Sequence, residues 1–229
     1  NELRRPFSES LERAKPFAVI AELKKASPSK GLLCPDFDVE HLARAYQGGG
    51  AAALSVLTEP DYFQGALENL EIARRHTNLP VLRKDFIVDA YQLHEARAAG
   101  ADCVLLIVAA LEHDALDNLS AQARELGLQV LVEVHDRAEL ERAVDCGAHI
   151  IGVNNRNLKT FDISLETSLE LAGLMPDGAC CISESGLKTH TDLKTLANAG
   201  YAGFLIGESL VTADDPGAAL QDFLGVNTQ

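Results

Sequence analysis

What the chain has little of narrows the field first. Basic residues are scarce: 20 Lys and Arg stand against 34 Asp and Glu in 229 residues, a net charge of −14. That balance argues against non-specific attraction to nucleic acid or to an anionic membrane, although a local basic cluster could still receive an anionic small molecule. Long apolar runs are missing too. The longest uncharged apolar stretch, Cys103 to Leu111, is far too short to cross a bilayer, and no signal peptide is visible. The five cysteines (34, 103, 146, 180 and 181) include no C-x-x-C pair, and the adjacent Cys180 and Cys181 make a poor disulfide. They lie mostly in apolar segments, as reduced, buried thiols of a cytoplasmic protein would. His135 has no second histidine at metal-ligand spacing, so no metal site is expected. Cys34 has no identifiable base beside it. No linker or low-complexity segment divides the chain, which reads as one domain over 1–229.

What is present is a rhythm. Short runs rich in Val, Ile and Leu start at 17, 52, 80, 103, 129, 150, 179 and 203, among them FAVIAEL, CVLLIV and QVLVEV. The spacing leaves room for a crossover helix after each run. The material between has helical period, as in Val39-Leu42-Ala43-Tyr46 and Leu140-Ala143-Val144. Helix starts carry Asp38, Asp136 with Glu139 three residues later, and Asp215-Pro216. Glycines at 50, 100, 127, 147 and 200 precede the next run, where a helix would end in the left-handed conformation. AAGADCVLLI, DCGAHIIGV and NAGYAGFLIG are one half-repeat written three times. Eight such units predict a (β/α)8 barrel over 17–225, with residues 1–16 as a short N-terminal extension. An open doubly wound sheet would want a G-x-G-x-x-G turn after the first strand, where the sequence has KKASPSKG. The extension, LRRPFSESLERAK, is amphipathic with mixed charge and reads as a lid or a packing helix.

Barrel active sites lie at the C-terminal ends of the strands, and polar residues gather there. The first run ends Glu22-Leu23-Lys24, the third Lys84-Asp85 and the sixth Asn154-Asn155-Arg156; the fifth holds Glu133, and the seventh leads into Glu184-Ser185-Gly186. Side chains alternate along a strand. If Ile20, Leu82 and Leu131 point into the barrel, then Glu22, Lys24, Lys84 and Glu133 line its mouth. Rim salt bridges could account for any one of these charges. Repeated on strand after strand they need another reason, since a buried ion pair is often no better than apolar packing. Ser185-Gly186 and Gly207-Glu208-Ser209 follow the seventh and eighth runs, where barrels frequently bind phosphate through backbone amides, and Lys24 could add countercharge. These features suit a catalytic wall beside a phosphate site. They leave open which phosphorylated substrate is turned over, a phosphosugar isomerase or synthase among the alternatives, or a non-catalytic phosphate-binding barrel.

AELKKASPSKG, ALSVLTEPDYFQG, VLRKDFIVDAYQ, LVEVHD, IGVNNRNLKTF, ISESG and LIGESL stand in the order and spacing of indole-3-glycerol-phosphate synthases, and the chain resembles that family over about 17–225. The resemblance implies a cytoplasmic enzyme of tryptophan biosynthesis using neither metal nor organic cofactor. It would close 1-(2-carboxyphenylamino)-1-deoxyribulose 5-phosphate to indole-3-glycerol phosphate, losing CO2 and water. The resemblance makes Lys84 the general acid, gives Glu133 and Lys24 roles in dehydration, and has Glu22 position Lys84 and hold its charge. Asn154 and Arg156 match residues near the substrate's hydroxyls and carboxylate. Pro28, Phe63, Phe86 and Leu105 match the pocket for the aromatic ring, and Ser27 is a further substrate-binding position. Ser185, Gly186, Gly207 and Glu208 match the phosphate loop, beside Lys24. A monomer or weak oligomer, open to association with other enzymes of the pathway, is implied as well. The family's extension before the first strand is longer than the sixteen residues here, and part of it covers the active site.

Overall fold

Eight parallel strands close on themselves in the structure, a computed structural model that describes residues 4–226. They are β1 (Ala18–Leu23), β2 (Ala53–Leu57), β3 (Val81–Lys84), β4 (Cys103–Ile107), β5 (Gln129–Val134), β6 (Ile150–Asn154), β7 (Cys180–Glu184) and β8 (Gly203–Ile206). Each pairs with its neighbours in sequence, and β1 pairs with β8 to complete the (β/α)8 barrel. Every strand begins within one residue of the run that predicted it. The one shift with consequences is in β7, which reaches Glu184 rather than stopping at Ser183.

Alternation divides each strand between two cores. Ala18 and Ile20 of β1, Leu82 of β3, Cys103 and Leu105 of β4, Leu131 of β5, and Cys180 and Ile182 of β7 fill the barrel interior. Their neighbours, such as Val19, Val56, Val104, Val132 and Phe204, face outward onto the helices. Among the described residues, nine α-helices follow the strands: α2 (Val39–Gly49), α3 (Leu67–His76), α4 (Ala90–Ala98), α5 (His113–Glu125), α6 (Arg137–Asp145), α7 (Glu166–Ala172), α8 (His190–Asn198), α9 (Glu208–Val211) and α10 (Pro216–Leu224). Leu42, Tyr46, Leu70, Leu93, Leu116 and Leu220 are among the side chains they press onto the outward face. Asp38 and Asp215 cap α2 and α10 as expected, accepting from His41 N–H at 3.0 Å and Ala218 N–H at 2.9 Å. Gly50 and Gly200 take the expected left-handed conformation, with φ of 98° and 109°. Asp136 accepts from Glu139 N–H at 2.9 Å, but the capping box is only half made. The Glu139 carboxylate turns back to the N–H of His135, at 2.8 Å, instead of that of Asp136.

The N-terminal segment is a packing helix and not a lid. Phe7 and Leu11 of α1 (Phe7–Arg13) are fully buried and belong to the interior core. The N–H groups of Phe7 and Ser8 donate to Oε1 of Gln129, the first residue of β5, and Ser10 Oγ donates to the carbonyl of Ala52, just before β2. Both anchors lie at strand starts, so α1 plugs the end opposite the polar mouth.

Candidate active site

Above the interior core lies a cleft of about 930 Å³. Each polar strand end expected at the mouth tops a column of apolar residues that alternation has already placed inside: Glu22 above Ile20, Lys84 above Leu82, Glu133 above Leu131, Asn154 above Ile150. The loop residues Ser27, Pro28, Phe63, Phe86, Arg156, Ser185, Gly186, Gly207 and Glu208, and Leu105 on the floor, line the same cleft.

Lys84 is the centre of the arrangement. Its Nζ lies 2.9 Å from Oε2 of Glu133 and 3.2 Å from Oε2 of Glu184. Burial pulls its ammonium down, but the carboxylates of Glu133, Glu184 and Glu22 outweigh that and hold its pKa above the ordinary lysine value. Glu133 is likewise buried, which raises it, but Lys84 and His135 together outweigh burial and hold it well below the usual carboxylate range. Glu184 goes the other way: burial, with the neighbouring Glu133 charge, pushes it up to about 7 despite Lys84. The three titrate as a unit. Oε1 of Glu133 accepts from Asn154 Nδ2 at 3.1 Å, and Asn154 Oδ1 accepts from Arg156 N–H at 3.0 Å. Nη1 of Arg156 reaches Ser29 Oγ, at 3.3 Å, across the cleft. Glu22, expected to position Lys84 and hold its charge, helps with the charge but does not touch that lysine. It pairs directly with Lys24, at 2.6 Å, and acts on Lys84 only through space.

Two glycines make room for this cluster. A methyl group on Gly152 would collide with Oε1 of Glu184, and one on Gly207 with Oε1 of Glu22. On the other face of β3, Arg83 holds the strand end in place. It donates to Thr58 Oγ1 at 3.1 Å, to the carbonyl of Gln92 at 2.7 Å and to Asp85 at 3.0 Å. So the three charges of Arg83-Lys84-Asp85 divide: Lys84 and Asp85 line the cleft, and Arg83 ties the strand end to α4 and to Asp85.

The glycine loops adjoin this cluster. Ser185 and Gly186 take positive φ, 68° and 82°, and buried Asn155 pins them by donating to the carbonyls of Glu184 and Ser185 at 3.0 and 3.1 Å. Ser209 Oγ donates to the carbonyl of Leu187 at 3.1 Å, tying the two loops together. The first amides of α9, from Glu208 on, have no acceptor within the helix. The Glu208 carboxylate leans toward Lys30, with 3.7 Å between them.

A family model described as indole-3-glycerol phosphate synthase matches residues 1–223. The chain belongs to that family. A synthase of this name from Koribacter versatilis is 56% identical over 208 residues, covering 91% of the chain and 80% of the relative. Another, from Laribacter hongkongensis, is 56% identical over 203 residues, covering 88% and 77%. A thiamine phosphate pyrophosphorylase from Pyrococcus furiosus superposes with a TM-score of 0.69 at 16% identity, covering 94% of the chain and 96% of that structure, a likeness of fold alone.

Two further residues, Glu184 and His135, join this cluster. Glu184 lies one residue past the expected end of the seventh run, yet Cys180-Ile182-Glu184 alternates just as Leu131-Glu133 does. His135, which lacks a metal-ligand partner in the sequence, stands between two carboxylates. Its Nδ1 lies 2.9 Å from Glu139 Oε2 and its Nε2 3.3 Å from Glu133 Oε1. Among the described residues no cluster of His, Cys, Asp or Glu could hold a metal ion.

Proposed function

We propose that Lys84, Glu133 and Lys24 carry the acid–base chemistry of this cleft, with the remaining lining residues binding substrate around them. The chain is a carboxy-lyase of tryptophan biosynthesis, an indole-3-glycerol-phosphate synthase acting on a small phosphorylated substrate. The aromatic carbon bearing the carboxylate attacks the ketone carbon, and Lys84 gives its proton to the ketone oxygen. CO2 then leaves, and its bonding pair restores the aromatic ring. Loss of water completes the indole: Glu133 takes a proton from the methylene carbon beside nitrogen while Lys24 protonates the departing hydroxyl. Two protons enter and one leaves, which balances the carboxylate lost as neutral CO2.

The binding roles follow from chemistry of the same kind. Arg156 offers the planar fork that suits a carboxylate. Asn154 orients Glu133 and faces the substrate's hydroxyls. Glu22 holds Lys24, through their direct contact. Pro28, Phe63, Phe86 and Leu105, with Ser27 beside them, receive the aromatic ring. The amides of Ser185, Gly186, Gly207 and Glu208 receive the phosphate with Lys24 close by. In solution we expect a monomer or weak oligomer, open to association with other pathway enzymes. The five free thiols support a reducing, cytoplasmic setting.

The observation that carries the reading is the position of Lys84 between two buried carboxylates on the cleft floor. A barrel that only bound a phosphosugar would have no use for three ions costing several kcal/mol each to desolvate. The test is the rise of indole fluorescence when the chain meets the carboxyphenylamino substrate. Turnover by the parent with loss of at least ~100-fold in kcat for K84A is the expected result. Near-normal turnover by a folded K84A would remove Lys84 from the role of acid.

A further inference from the structure

His135 lies outside the cleft lining yet touches the carboxylate at its floor. It stands just past the end of β5, two residues after Glu133, with 11% of its side chain exposed. Both ring nitrogens face carboxylate oxygens. Nδ1 meets Glu139 Oε2 at 2.9 Å, in the contact formed where the α6 capping box is left open. Nε2 is buried, and its oxygen neighbour is Oε1 of Glu133 at 3.3 Å, close enough for ionic attraction but off the hydrogen-bond line. A small turn of the Glu133 carboxylate would complete that bond. A neutral imidazole can donate from only one nitrogen, so it would present a lone pair to one of the two carboxylates. Only the imidazolium satisfies both.

We propose that His135 is a positioning residue whose imidazolium charge keeps Glu133 ionised and turned for proton abstraction. The inference rests on the reading of Glu133 as the base. Its logic is that of a counterion behind a base: Lys84 attracts one oxygen of Glu133, and His135 and Asn154 attract the other. When Lys84 gives up its proton to the ketone, Glu133 loses its strongest partner while it must stay ionised for the dehydration that follows. The charge on His135 is not consumed by that transfer and stabilises the carboxylate through both steps. The charged groups facing the ring are Glu133 on its own strand, Glu139 on α6, and Lys84 of β3 beyond Glu133. Arg142, one turn further along α6, points away, to the carbonyls of Val108 and Leu111. Burial alone would pull the ring down, but the two carboxylates outweigh it and hold its pKa at about 9.

The test is the pH profile of kcat for H135N and H135Q beside the parent and E133Q. Removing the charge lets Glu133 hold its proton more tightly, so the acid limb of kcat moves up by about one pH unit or more in both variants, tenfold at a given pH on that limb. KM stays within about twofold, because His135 does not line the cleft. A purely structural role would lower kcat evenly across pH and leave the limb in place. H135Q keeps a neutral donor within reach of Glu133; a wild-type acid limb in that variant would overturn the role of charge. If E133Q keeps its kcat, the base assignment fails and this inference with it. If E133Q collapses while both His135 variants keep the wild-type limb, the inference alone fails. Nitrogen NMR of the unsubstituted protein needs no variant: an imidazolium at pH 8 is expected, and a neutral ring there would sink the proposal.

Discussion

Nζ of Lys84 lies 2.9 Å from Oε2 of Glu133, although 49 positions separate the two residues and a strand lies between them in the barrel. Besides the acid role proposed for it, Lys84 neutralises buried carboxylates of the fold, and substitution probes that second part. In K84M the carboxylates of Glu133 and Glu184 lose their cation inside the protein, where removing one partner of a buried pair typically costs ~3–5 kcal/mol. The penalty depends on pH. Glu133 has a folded pKa below its ordinary 4.5, so its pairing stabilises the fold above that value and ceases to do so as pH falls through the lower, folded one. Urea unfolding should therefore show K84M most destabilised near pH 7 and much less so near pH 4, where the stranded carboxylates take up protons. An equal loss at both pH values would mean that the charge pairing is not what K84M removed.

Glu184 gives the opposite sign. Its folded pKa, about 7, lies above the ordinary 4.5, so between those values the folded protein binds more protons than the unfolded chain. Stability contributed by this group is full below about pH 4.5, declines as pH rises through the window and is lost above 7, ~3 kcal/mol at most. E184Q cannot titrate. Its unfolding free energy should fall less steeply from pH 5 to pH 8 than the parent's, whatever its absolute level. Parallel pH profiles for the two proteins would assign the slope to other groups.

The alternation of Leu82 with Lys84 and of Leu131 with Glu133 was enough to place an ammonium and a carboxylate at one mouth, because side-chain direction on a strand is a local property. Which charge meets which is not local. Glu22 was expected at Lys84 and contacts Lys24 instead. The azimuth of each strand around the barrel decides that pairing, and it exists only once β1 has closed onto both β2 and β8. Glu184 ends β7 one residue beyond its apolar run, and one residue is enough to turn a strand position into a loop position. The partners of His135 stand at i−2 and i+4, and the capping box expected of Glu139 would have turned its carboxylate away from the ring. The end of the barrel that α1 covers was also undecided in the sequence. An amphipathic helix with Phe and Leu on one face fits either end, and the partners that choose, Gln129 and the carbonyl of Ala52, begin strands far along the chain.

Gly207 separates binding from chemistry only in part, and the structure says why. A side chain there would point at Oε1 of Glu22 and toward Nζ of Lys24. Asp at this position would bring a negative charge into the proposed phosphate cradle and compete with Glu22 for Lys24. KM for the phosphorylated substrate should rise ~10-fold or more, from like-charge repulsion and loss of close approach, with a smaller fall in kcat from the displaced ammonium. Inorganic phosphate should weaken in parallel as a competitive inhibitor. An unchanged KM together with unchanged phosphate inhibition would move the cradle away from the loop after β8.

Phe7 tests whether α1 belongs to the fold or to the active site. Its ring is fully buried among the lowest residues of the barrel interior, beside Leu11, with the reactive groups above the other end of that core. F7A should leave a cavity under the barrel and cost ~3–5 kcal/mol, seen as a fall in Tm and in the urea midpoint. A lid residue would show a different signature, since losing it admits water and weakens substrate binding while leaving stability almost unchanged. The expected result is a destabilised protein whose kcat and KM, measured well below its Tm, stay within about twofold of the parent's. A raised KM with unchanged Tm would place the helix over the mouth. The interior layers between Phe7 and Lys84 are too closely packed for both roles to fall to one side chain.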